Sequence, residues 1–129
     1  FARPSLIDER GEFLTSLVDM LTKKGHIVHQ LGGGVEPQIP GAIKDDLSLP
    51  HAVDLLLSSK VHITIDTAFS WIASSYNHPV IGLYGKNYTD MKEGRIVSHN
   101  PINDNGIYLN RDKTQNMTVG EIEEALKQI

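Results

Sequence analysis

The sequence contains no cysteine, and this absence removes several classes of protein. Without thiols there is no disulfide framework, no thiolate metal site and no cysteine nucleophile. Long apolar runs are also missing, since none approaches the ~18 residues that a membrane span needs. No secretory signal opens the sequence. We therefore expect a cytoplasmic protein with no membrane span.

An excess of positive charge is absent too. The chain has 12 lysine and arginine residues against 16 aspartate and glutamate residues, which gives a net charge of −4. Nucleic acids and anionic membranes bind to basic faces, so we expect neither as a partner. The 129 residues suit one domain, and no linker or repeat divides them. Because the first residue is Phe1, we expect residues 1–129 to be one α/β domain from a longer protein.

Helical and extended patterns alternate along the chain. Apolar residues recur at helical spacing from Leu6 to Leu21, with Ser5 as the expected N-cap and Gly25 as the stop. The other predicted elements are a buried strand over 26–31, a short strand at 42–43, a helix over 48–58 with a core stripe that includes Leu49, strands over 61–65 and 79–84, a helix over 68–76, short strands at 96–97 and 107–109, and a last helix with a capping box at Thr118 and Glu121. This alternation predicts a mostly parallel sheet with helices on both faces.

The segment Asp66–Ser70 follows the clearest strand and opens a helix. In open parallel sheets, ligands bind beyond the carboxyl ends of the strands, and free N–H groups at a helix start favour an anion. A phosphate there would meet amides near Thr67 and Ala68 and the Thr67 hydroxyl. The alternative is that Asp66 only caps the helix.

Two further segments lie at predicted strand ends. Gly32–Gly34 allow close approach to a ligand or simply form a turn, and Glu36 beyond them is either an acceptor for a ribose diol or a solvated acid. Lys86 follows the glycines of a strand end and either neutralises a phosphate or is an ordinary surface lysine. The six histidines show no metal-binding spacing, so we expect no metal and no cofactor.

Together these segments resemble glycosyltransferase family 9, the heptosyltransferase-like enzymes. The resemblance rests on an ordered series of short motifs: Lys24-Gly25-His26, a strand ending in Gly32-Gly33, Ser48-Leu49, Ser58-Ser59-Lys60, Val61 to Ser70, and Asn77 to Gly85. It covers 6–85 well and the tail by its final helix. The resemblance implies the GT-B fold, in which two Rossmann-like domains face a cleft, and this chain would be the C-terminal, donor-binding domain.

The resemblance also implies roles for particular residues. Asp66, Thr67 and Ala68 match the segment that cradles the donor's phosphates and sugar, Glu36 matches the acid that holds the ribose, and Ser48 and Leu49 flank the base. Two positions depart from the family, since Ala68 replaces a usual glycine and Trp71 a usual histidine. ADP-heptose is therefore not the expected donor. Arg3 is a candidate phosphate contact left from a preceding loop.

The implied reaction is transfer of a sugar from a nucleotide-diphosphate sugar to a glycan or lipid-linked acceptor. The catalytic base would belong to an N-terminal acceptor domain that these residues do not include, so we expect no transfer by this chain alone. A non-catalytic binding or assembly module is the main alternative. A phosphorylated receiver is a weaker one, because the acid pair Asp45-Asp46 follows the wrong strand.

Overall fold

A computed structural model describes residues 4–32, 36–65, 67–85, 101–111 and 117–129. The chain forms two compact units, residues 1–52 (unit 1) and 53–129 (unit 2). The elements are α1 (Pro4–Lys23), β1 (His29–Gln30), β2 (Ile43–Lys44), α2 (Leu49–Ser58), β3 (His62–Thr64), α3 (Ala68–Ser75), β4 (Val80–Gly85), β5 (Gly106–Arg111) and α4 (Val119–Leu126). No helix in the described ranges has the length and apolar character to cross a membrane.

The first helix confirms the helical periodicity but begins earlier than predicted. Because α1 starts one residue before Ser5, Ser5 lies within the helix and the predicted N-cap is wrong. The predicted stop is confirmed: Gly25 has a φ of +87°, in the left-handed region. Its N–H donates to the Thr22 carbonyl at 2.9 Å, and the His26 N–H donates to the Leu21 carbonyl at 3.1 Å. These paired bonds satisfy carbonyls at the end of the helix.

Unit 1 contains a parallel pair of short strands, β1 and β2, in which His29 lies opposite Ile43. Its buried cluster comprises Leu14, Val18, Ile39 and Ala42, with Phe13 and Val28 packed against them. Ile27, however, is 76% exposed. The prediction of a buried strand over 26–31 is therefore wrong in length and in burial. Only His29 and Gln30 form β1, so Ile27 and Val28 precede the strand.

Unit 2 contains a parallel sheet in the order β3–β4–β5. The central strand β4 is buried from Val80 to Tyr84, as its continuous apolar run predicts for a strand covered on both faces. Tyr108 of β5 reaches α3, whereas its neighbours Ile107 and Leu109 line a groove with α4. The two helices thus cover opposite faces, which confirms the expected three-layer, mostly parallel α/β architecture.

Two glycines of this sheet make room for one tyrosine ring. A Cβ on Gly82 would lie 2.5 Å from Cδ1 of Tyr108, and one on Gly106 would lie 2.8 Å from its Cζ. Side chains at both positions would therefore displace the ring. The ring also packs edge-on against Tyr84, with centroids 5.5 Å apart and planes at 64°.

Hydroxyl pairs attach α3 to the sheet beneath it. Ser70 and Ser74 lie on the buried side of the helix. The Ser70 hydroxyl is 2.8 Å from the Tyr84 hydroxyl, and that of Ser74 is 2.9 Å from the Tyr108 hydroxyl. Ser74 also donates to the Ser70 carbonyl at 2.8 Å. These bonds fix the rotation of α3 about its axis and its height on the sheet.

Other predicted elements have mixed outcomes. The capping box of α4 is confirmed, since the Glu121 N–H donates to the Thr118 hydroxyl and the Thr118 N–H to the Glu121 carboxylate. In α2, Leu56 is buried but Leu49 is 63% exposed, so including Leu49 in the core stripe is wrong. It is the first helical residue, where the chain enters the helix. The predicted strand at 96–97 lies outside the described residues.

Candidate functional site

The start of α3 follows directly from the carboxyl end of β3. Thr67 is its N-cap, with extended backbone angles, yet its side chain makes no capping hydrogen bond. The hydroxyl lies 3.3 Å from that of Thr64, a buried residue that ends β3. The Thr67 side chain therefore satisfies none of the N–H groups in the first turn. Such groups, together with the helix dipole, favour an anion.

Three predicted site residues come together on this first turn. Thr67 and Ala68 begin the helix, and Trp71 lies on the same face as Ala68, three positions later. Ala68 is exposed, and the Trp71 side chain is 48% exposed. Asp66, Lys86 and Arg3 lie outside the described residues, so the alternative that Asp66 caps α3 stays open.

Glu36 belongs to unit 1 and is only 6% exposed. Its Oε2 atom is buried and has no hydrogen-bond partner among the residues that the structure describes. The alternative that Glu36 is a solvated surface acid is therefore wrong. A Cβ on Gly32 would collide with this carboxylate, so the glycine leaves the space that the carboxylate fills. A buried carboxylate oxygen without a donor is costly, and a ligand hydroxyl would supply one.

The loop that carries Glu36 is held by side chains that the sequence patterns did not single out. The Gln30 amide donates to the Pro37 carbonyl at 2.9 Å and accepts from the Ile39 N–H at 2.8 Å. The Lys44 ammonium donates to the Glu36 carbonyl. The one available signal was a glutamine inside an apolar strand pattern, because a buried amide needs partners. Nothing in the sequence points to Lys44.

Ser48 and Leu49 stand at the start of α2. The Ser48 hydroxyl lies 3.0 Å from Nδ1 of His51, three residues on, and both side chains are exposed. Leu49 presents most of its surface to solvent. An exposed apolar side chain beside a polar pair suits contact with a flat, partly polar ring. Glu36, Ser48 and Leu49 belong to unit 1, whereas Thr67, Ala68 and Trp71 belong to unit 2.

Burial lowers the pKa of two histidines of unit 2, His62 and His78. The Nε2 atom of His62 is buried and has no hydrogen-bond partner in the described part of the chain. Burial, with a smaller contribution from the charge of His78, lowers the pKa of His62 to about 3. His62 is therefore neutral at pH 7. Within the described ranges, no three histidine or acidic side chains are grouped so that they would hold a metal ion.

Comparison with known families matches this chain to one of them. The model of glycosyltransferase family 9 (heptosyltransferase) matches residues 22–128, which is most of the chain. The chain belongs to this family. The match begins within α1 and includes the whole of α4, so it covers the tail that the short motifs covered poorly. No curated protein and no solved structure matches the chain significantly.

Proposed function

We propose that this family 9 chain is the donor-binding, C-terminal half of a GT-B glycosyltransferase. It would hold a nucleotide-diphosphate sugar while an N-terminal domain presents a glycan or lipid-linked acceptor. Membership of the family supports glycosyl transfer. The observation that carries the donor-binding role is the start of α3, where a helix opens at a strand's carboxyl end and the side chain of its N-cap, Thr67, bonds to none of the first-turn amides.

Each predicted residue has a distinct role in this proposal. The amides at Thr67 and Ala68, with Asp66, contact the diphosphate and the sugar. The buried carboxylate of Glu36 accepts hydrogen bonds from the ribose hydroxyls, which supplies the donors that Oε2 lacks. Ser48 and Leu49 flank the base, Trp71 offers a stacking face, and Lys86 and Arg3 neutralise phosphate charge.

The chemistry is a direct displacement at the anomeric carbon. The acceptor oxygen forms a bond to that carbon while the bond to the phosphate oxygen breaks, and the nucleoside diphosphate leaves. Helix amides and cations stabilise the charge on the leaving group, with no metal and no cofactor required. The acceptor proton passes to a base on the N-terminal domain. We therefore expect residues 1–129 alone to catalyse no transfer, and robust product from them would contradict this.

Charged substitutions of Ala68 test whether the start of α3 contacts the diphosphate. Ala68→Glu places a carboxylate where the diphosphate would bind, while an acid in the first turn favours the helix. We expect the variant to keep its melting temperature and to bind ADP, UDP or GDP about tenfold more weakly, as charge repulsion at one contact predicts. Ala68→Lys is the matched control and should bind at least as tightly as the wild type.

The measurement is nuclear magnetic resonance titration of the labelled wild type and both variants with each nucleotide. Support for the proposal is a set of shifted amides that includes Thr67, Ala68 and Glu36. Equal binding by the two Ala68 variants would exclude the helix start as the diphosphate contact.

A non-catalytic binding or assembly module is the second candidate. The half-exposed Trp71 favours it, because a large aromatic surface on a helix is typical of residues that anchor protein contacts. Absence of any shift with all three nucleotides at millimolar concentration would favour this module over the transferase.

A further inference from the structure

The side chains around Glu36 suggest how its carboxylate is kept in a fixed place. In β1 and β2, Gln30 lies directly opposite Lys44. Both side chains reach the same loop: Gln30 bonds to it at Pro37 and Ile39, and Lys44 bonds to the Glu36 carbonyl. One register pair of the sheet therefore holds the loop at its buried acid and at the residues that follow it.

The Gln30 contacts are specific in direction as well as in place. The side chain is 6% exposed, and its amide oxygen and nitrogen are both used, one as acceptor and one as donor. No other uncharged side chain of this size offers a donor and an acceptor in this arrangement. Replacement would leave the Ile39 N–H and the Pro37 carbonyl without these partners, and the loop would shift to satisfy them.

A shift of this loop would move the Glu36 carboxylate, because Glu36 belongs to the loop and its Oε2 atom is buried. Gly32 lies against Oε2 on one side, so that even a methyl group there would collide with the acid. The ammonium of Lys44 lies at the backbone of the same residue. Such a site holds one position of the carboxylate and disfavours others.

We propose that Gln30 and Lys44 are positioning residues that hold the Glu36 carboxylate at the place where it accepts the ribose hydroxyls. This inference rests on the proposed function, since it assumes that Glu36 contacts a nucleotide ribose. It adds that discrimination between ribose and deoxyribose depends on residues that never touch the ligand.

The test compares nucleotides with and without the ribose diol on the full chain. The probes are ADP, UDP and GDP, and then the 2′,3′-dideoxy form of whichever binds most tightly. We expect the wild type to prefer the ribonucleotide about tenfold, the size of one or two bonds to a charged acceptor. Gln30→Met should remove this preference by weakening the ribonucleotide alone, with dideoxynucleotide binding unchanged within about twofold.

A double-mutant cycle with Glu36→Gln decides whether the effect acts through the carboxylate. If Gln30 only positions Glu36, adding Gln30→Met to Glu36→Gln should weaken binding no further. Gln38→Met is the matched control, because Gln38 bonds to the Ala42 carbonyl of the same loop. It should leave the ribose preference intact. Should Gln30→Met fail to fold, Lys44→Met replaces it in the same cycle.

The outcomes separate this inference from the proposed function. Failure of the wild type to bind any nucleoside diphosphate overturns the proposed function, and this inference with it. Binding by the wild type with equal losses for both nucleotides in Gln30→Met overturns the inference alone, as do additive effects in the cycle. Loss of ribose preference in Gln30→Met and in Glu36→Gln, without additivity, supports it.

Discussion

The two sheets of this chain are built on different principles. The sheet of unit 2 has a central strand with both faces covered, and Val80 and Ile81 are fully buried. In unit 1, the residues just before β1 and β2, Val28 and Ala42, belong to or pack against the cluster around Leu14, whereas Ile43 of β2 is exposed. Apolar packing stabilises the sheet of unit 2, whereas polar side chains of the β1–β2 pair in unit 1 hold the loop that carries Glu36.

This difference means that the well-packed sheet lies in unit 2, whereas the candidate ribose contact, Glu36, lies in unit 1. In unit 2, the helix that presents its first-turn amides is attached to a well-packed layer through Ser70 and Ser74. In unit 1, the acid sits on a loop held by individual hydrogen bonds. Substitutions in the loop that carries Glu36 should therefore change ligand binding more than stability, and those in the sheet of unit 2 the reverse.

The largest expected difference in stability comes from replacing one isoleucine by alanine in each sheet. Ile81 is 0% exposed in the central strand, whereas Ile43 is 45% exposed on β2. Ile81→Ala should lower the free energy of unfolding by about 3 kcal/mol, because it removes buried methyl groups and leaves a cavity. Ile43→Ala should cost less than about 1 kcal/mol. Urea unfolding followed by circular dichroism measures both, and similar losses would refute the contrast.

The same contrast explains which parts of the fold could be predicted from the sequence. The strands of unit 2 appear as apolar runs, and the capping box of α4 as a spaced pair, Thr118 and Glu121. Both signals depend only on residues close together in the sequence, and the structure contains the strands and the helix cap that they predict. The prediction of a buried strand over 26–31 failed because an apolar run does not say how many neighbours its strand will have.

The candidate site shows a similar division. Thr67, Ala68 and Glu36 could be chosen from their positions after strands, and the burial of Glu36 strengthens that choice. Gln30 and Lys44 could not, because a bond from a side chain to a distant loop carbonyl leaves no periodic pattern. The bond between the Ser70 and Tyr84 hydroxyls could not be predicted for the same reason, because Tyr84 is fourteen residues away on another element.

A titration effect of intermediate size is expected from unit 2. The pKa of His62 is lowered to about 3 in the folded state, against an ordinary value of 6.5. Between these values the unfolded chain binds a proton that the folded chain does not, so stability falls as the pH falls. From pH 7 to pH 5 the loss should be about 2 kcal/mol.

Variants identify the histidine responsible. His62→Phe removes the titrating group and should flatten this part of the pH profile of unfolding free energy. His51→Gln, which alters an exposed histidine of unit 1, should leave the slope unchanged. A slope that persists in His62→Phe would assign the acid sensitivity to other groups.

The smallest expected effects come from two glycines that are required for different reasons. Gly25 ends α1 at a φ of +87°, and a Cβ there would meet nothing within 4 Å beyond its chain neighbours, so Gly25→Ala should cost about 1 kcal/mol through backbone conformation alone. Gly25→Asn should recover part of this loss, since asparagine tolerates the left-handed region.

Gly82 has no such φ but lies under the Tyr108 ring, so Gly82→Ala should cost about 1–2 kcal/mol by crowding. Asparagine there should be worse than alanine, because it is larger. Thermal unfolding of the four variants measures whether asparagine is more stable than alanine at position 25 and less stable at position 82. The same order at both positions would contradict the view that the two glycines are required for different reasons.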